Sequence, residues 1–133
     1  MTLPPPFLAS LPLPASGPLT LFFALAIGHF VCDYPMQGTF LATMKNRHVE
    51  NKGGAGNLPS LTWVHALTAH SFIHAGAVWL ITGSVLLALC EVVLHWLIDF
   101  SKCEGWISYH VDQLLHLTCK AVFVLLLFYA VVH

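Results

Sequence analysis

The chain has 133 residues, 57% of them apolar and only 8% charged, with a net charge of −1. A soluble domain carries about 25% charged residues, so this composition cannot clothe a water-facing surface. It has neither a basic patch nor a recognition motif, which excludes nucleic acid as a partner. Long apolar runs separated by short polar segments define an all-α integral membrane protein.

Residues 1–18, "MTLPPPFLASLPLPASGP", hold five prolines within the first fourteen positions and no positively charged n-region. They read as an irregular or interfacial segment rather than a signal peptide. Residues 19–133 read as a bundle of four transmembrane helices at about 19–44, 61–81, 85–101 and 107–132. Each is near the ~20 residues that a bilayer core requires. Pro35 is expected to kink the first helix, because proline removes a backbone donor and crowds the preceding turn. The polar stretch "KNRHVENKGGAGNLPS", the "TGS" at residues 82–84 and "KCEGW" at residues 102–106 are the connections.

Lys45, Arg47 and Lys52 lie in the first connection and Lys102 at the third. By the positive-inside rule that side is cytoplasmic, and both termini lie on the opposite side. Four cysteines (Cys32, Cys90, Cys103 and Cys119) lack CxxC spacing and read as reduced and structural.

Polar residues recur four apart in every helix. The first carries His29 and Asp33, with Gln37 a turn later. The second carries His70 and His74. The third carries Glu91, His95 and Asp99, followed by Lys102. The fourth carries Asp112 and His116, followed by Lys120. A four-residue step turns a side chain only about 40° around the axis, so each set shares one face. All four faces fall in the cytoplasmic half and can meet at one centre. His48, His65, His110 and His133 are expected to be interfacial or solvated. "HFVCDY" at residues 29–34 is echoed by "HWLIDF" at residues 95–100, which suggests two helical hairpins related by a pseudo-two-fold axis along the membrane normal.

Imidazole and carboxylate are ligands of zinc, manganese and iron, and bundles hold metals on inward-facing residues of this kind. His29, Asp33, His70, His74, His95, Asp99, Asp112 and His116 are the candidate ligands for one or two divalent ions, zinc first, with manganese or iron as alternatives. Glu91 or an unligated Asp99 is the candidate general base. Lys102 and Lys120 are candidate cations for an anionic substrate group. Gln37, Gln113 and Lys120 are expected to support the ligands from behind. A metal-free proton relay and a set of structural pairs are the competing readings.

"GHFVCDYPMQGTFLATMKNR", "AHSFIHAGAVWL", "EVVLHWLIDFSKCEG" and "DQLLHLTCK" together resemble a family of small bacterial and phage membrane proteins, catalogued as domain of unknown function 3307. The resemblance spans about residues 21–120 and implies a polar signature that includes Lys45 beside the residues above. It implies no activity. A looser likeness to membrane-bound metal-dependent hydrolases of the inner membrane implies hydrolysis of a lipid or other amphipathic ester or phosphoester. Membrane lipids and a homo-oligomer are the expected partners. The rivals are a transporter of protons or divalent cations and a non-enzymatic interaction subunit. The almost wholly apolar outer halves of the helices weigh against a through-pore in one chain.

Overall fold

The computed structural model describes residues 17–49 and 58–129. Most of the Pro-rich segment, the part of the polar connection that holds Lys52, and the end of the chain with His133 lie outside the described residues. Among the described residues there are five helices and no strand: α1 (Pro18–Asp33), α2 (Gly38–Met44), α3 (Thr62–Thr82), α4 (Val85–Cys103) and α5 (Tyr109–Phe128). The expectation of one kinked helix over residues 19–44 is corrected. Pro35 breaks it outright, and α2 leaves α1 at a bend of 84°. The ring at Pro35 cannot continue the ladder, and Gly38 takes a positive φ of 60° that restarts the chain in a new direction.

The long helices pack in a ring, α1 against α3, α3 against α4, α4 against α5 and α5 back against α1, while α2 lies against α3. The "TGS" turn is as tight as the sequence requires. Gly83 caps α3 in the left-handed region at φ 72° and donates its N–H to Trp79 O at 2.7 Å. Ser84 then caps α4, its Oγ accepting from Leu87 N–H at 3.3 Å. Ser108 caps α5 in the same manner, accepting from Val111 N–H.

α3 and α5 are long and apolar enough to cross a membrane, and the bent pair α1–α2 makes a third candidate if counted as one span. The chain is therefore membrane-associated. α4 has the length but carries Glu91, Asp99 and Lys102. The bundle is apolar outside and polar within. Leu19, Phe23, Phe72, Val93 and Leu114 are each more than half exposed, while the polar residues of the four faces turn inward. The interior has two layers. At the end where α1 begins, Leu21, Leu25, Val78, Leu87, Phe123 and Val124 form an apolar plug. The ionisable residues fill the other end.

Replacing the α4 cap, Ser84→Ala, is expected to lower stability by roughly 0.5–2 kcal/mol. Thermal unfolding in detergent checks this. An unchanged midpoint would mean that the cap contributes nothing.

Candidate metal centre

All eight candidate ligands converge. His29, His70, His74, His95, Asp99, Asp112 and His116 are each no more than 1% exposed, and Asp33 is 7% exposed. Spacing explains this: His29 and Asp33 close the last turn of α1, while the pairs on α3, α4 and α5 lie one turn apart on inward faces.

Charge is compensated internally. The Lys45 ammonium donates to Asp99 Oδ2 at 2.6 Å, and also to Gln37 Oε1. Lys102 bridges Asp99 Oδ1 at 3.0 Å and Asp112 Oδ2 at 3.1 Å. Lys120 donates to Glu91 Oε1 at 2.5 Å. Gln113 donates its amide to Asp33 Oδ2 at 2.7 Å and to Asp112 Oδ2 at 3.1 Å, and its Oε1 accepts from His29 Nε2 at 3.2 Å. Gln113 thus bonds three candidate ligands directly, whereas Gln37 reaches Asp99 only through Lys45, and Lys120 reaches His95 only through Glu91. Four carboxylates against three ammonium groups leave the centre with a net charge of −1, one positive charge short of neutral, when the imidazoles are uncharged.

His95 is the hub. Its ring centroid lies 3.7 Å from His74, 4.1 Å from His116, 5.0 Å from His70 and 6.0 Å from His29. Its tautomer follows from its neighbours. Glu91 Oε1 already accepts from the Lys120 ammonium at 2.5 Å and serves His95 as an acceptor too. His95 Nδ1, 3.2 Å from Glu91 Oε1, must then carry the proton. That leaves a lone pair on Nε2, which is buried without a hydrogen-bond partner and lies 3.9 Å from Asp99 Oδ2. Asp99 Oδ2 already takes the Lys45 ammonium, so His95 Nε2 is the atom left free. Carboxylate–imidazole pairs of this kind orient metal-bound histidines.

Asp33, His70, His74 and His95 offer four buried donors whose atoms all lie within 4.8 Å of one another. His70 Nε2 is 3.2 Å and His74 Nε2 3.6 Å from Asp33 Oδ1. Neither nitrogen of His74 has a hydrogen-bond partner. Three helices thus supply the donor number of a tetrahedral site.

Lys45 is the residue that sequence reading misplaced. Taken as a loop cation, it is buried at 4% exposure because the break at Pro35 swings α2 across the polar end of the bundle and delivers it to Asp99. The family resemblance had included it; helix spacing could not place it. Its neighbour Arg47 stays outside, forked onto Glu104 with two bonds of 2.7 Å, and His48 meets the same carboxylate at 3.0 Å. Those hydrogen bonds from Arg47 hold the Glu104 carboxyl below its usual range. Arg47 also lies over the rings of Trp63 and Phe100. His65 and His110 are exposed, as expected. The four cysteines are free.

These features define a class: an all-helical, membrane-associated bundle with a buried His/Asp centre closed by lysines. Residues 21–132 match the family described as "Protein of unknown function (DUF3307)", and the chain belongs to it. No curated protein and no solved structure matches the chain. The looser likeness to hydrolases has no match behind it.

The Glu91–Lys120 pair supplies a test of the charge framework. Lys120→Met alone strands a buried carboxylate and is expected to cost about 3–5 kcal/mol. The double substitution Glu91→Gln/Lys120→Met is expected to recover most of that loss. Equal destabilisation of the single and double variants would show that the pair is not coupled.

Proposed function

We propose that the chain is a four-span inner-membrane protein that holds a divalent ion of the zinc class on Asp33, His70, His74 and His95, and uses it to hydrolyse an amphipathic ester or phosphoester. The observation that carries the reading is the Nε2 lone pair of His95. It is fixed by Glu91, buried and unpartnered, on a residue grouped with three further donors. A bound divalent ion of this kind lowers the pKa of a coordinated water to near 7. Glu91 then acts by orienting His95 rather than as a free base, since both its neighbours already engage it. Asp99 faces the centre through Oδ2, at 3.5 Å from His70 Nε2, but Lys45 and Lys102 already engage its two oxygens, so it is not a free base either. Lys102, with its side chain 22% exposed, stands at the rim of the polar end and suits an anionic oxygen of the substrate.

The apolar plug favours this reading over transport. A conducting path needs polar groups through both halves of the bundle, and Leu21, Leu25, Val78, Leu87, Phe123 and Val124 fill one half. A membrane-embedded position and outer faces dominated by apolar residues such as Phe23, Phe72, Val93 and Leu114 point to a substrate that itself resides in the bilayer. The same faces suit lipid contact or a homo-oligomer.

Two measurements test the proposal. Elemental analysis of the purified protein is expected to find stoichiometric transition metal in the wild type and its loss in His74→Ala, a change that breaks no hydrogen bond. A folded, metal-free wild type would overturn the reading, and metal without any lipid or phosphoester hydrolysis would overturn the enzymatic half of it. For the span arrangement, cysteines introduced at Val85 and Trp106, both exposed, are expected to react with an impermeant thiol reagent from opposite sides of the membrane. Labelling from one side would exclude four spans.

A further inference from the structure

Exchanging α1 with α4 and α3 with α5 carries the first donor group onto a second one. Asp33 maps to Asp99, His70 to Asp112, His74 to His116 and His95 to His29, following the echo of "HFVCDY" in "HWLIDF". The geometry follows the exchange. His74 Nε2 lies 3.6 Å from Asp33 Oδ1, and His116 Nε2 lies 3.5 Å from Asp99 Oδ1. Each aspartate also presents its second oxygen to the other hairpin: Asp33 Oδ2 to Gln113, and Asp99 Oδ2 to His70.

We infer that Asp99, Asp112 and His116 form a second divalent-metal site, with His29 beside it, and that the two ions together serve a phosphoester substrate. The donor atoms of Asp99, Asp112 and His116 lie within 4.8 Å of one another. His116 Nε2 and Asp112 Oδ1 face each other at 3.4 Å, and both are buried with no hydrogen-bond partner. His116 is 1% and Asp112 0% exposed. The His95–His116 stack joins the two sites, and Asp99 reaches towards both. Two adjacent ions are the arrangement that stabilises the attacking and leaving oxygens in phosphoryl displacement.

The lysines fix the substrate's charge. With four carboxylates and three ammonium groups, the centre changes from −1 to +3 when two divalent ions bind. A phosphate group and an ion-bound hydroxide offset that excess, whereas a neutral carboxylic ester does not. Lys102 already spans Asp99 and Asp112, so its ammonium competes with the second ion.

The inference rests on the metal reading above, and manganese titration of the full-length, chelator-stripped protein in detergent separates the two. The wild type is expected to take up two equivalents of Mn(II) with a spin-coupled paramagnetic resonance spectrum. Asp112→Ala is expected to lose one equivalent and the coupling. A single uncoupled equivalent in the wild type, unchanged by Asp112→Ala, would overturn the second site and leave the first standing. No uptake at all would overturn both. Should Asp112→Ala fail to fold, Lys102→Met decides. Removal of the competing ammonium is expected to tighten the second equivalent, and unchanged or weaker binding counts against the site. Inorganic phosphate is expected to tighten the second equivalent in the wild type; no effect would overturn the phosphoester assignment.

Discussion

A charged side chain at membrane depth must find its counter-charge inside the protein, and the rest of this structure is arranged around that need. Each such group costs about 2.5–3.5 kcal/mol to place alone at the centre of a bilayer. Seven of them, Asp33, Lys45, Glu91, Asp99, Asp112, Lys102 and Lys120, are collected in one half of the bundle. Isolated, they would cost on the order of 20 kcal/mol, more than a domain's whole margin of stability of about 5–15 kcal/mol. Paired, they hold the helices together where apolar contact alone gives no advantage over lipid. The inside-out pattern of polar core and apolar surface is the result.

The lysines satisfy the carboxylates but not the imidazoles. His29, His70, His74, His95 and His116 retain buried ring nitrogens with no hydrogen-bond partner. A structural polar core would close on itself and leave few such atoms. Here the excess donor capacity is concentrated where helices from both hairpins meet.

Four-residue spacing made most of this legible in advance. It predicted that His29 and Asp33, His70 and His74, Glu91, His95 and Asp99, and Asp112 and His116 would share inward faces, and all are buried. It predicted the inward course of Lys120 as well. Periodicity could not reveal that α1 would end at Asp33, because a proline inside an apolar run is compatible with a kink or a break, and only packing decides between them. The misplacement of Lys45 follows from that single ambiguity: its position depends on a bend three-dimensional in origin, not on its own spacing. Tautomers were equally out of reach, since the proton on His95 is set by Lys120 through Glu91, residues that lie on two different helices.

The two-residue turn at Gly83 and Ser84 has a consequence for how the chain enters the bilayer. Helix α4, with Glu91, Asp99 and Lys102, is a poor candidate for independent insertion, as each of those charges outweighs several leucines on the scale of the cell's insertion machinery. α3 before it is apolar enough to insert. So short a turn, capped on both sides, gives the pair no freedom to be placed separately. If the chain takes the proposed four spans, α3 and α4 enter as one hairpin, and the helix that carries the hub histidine depends on its neighbour for insertion.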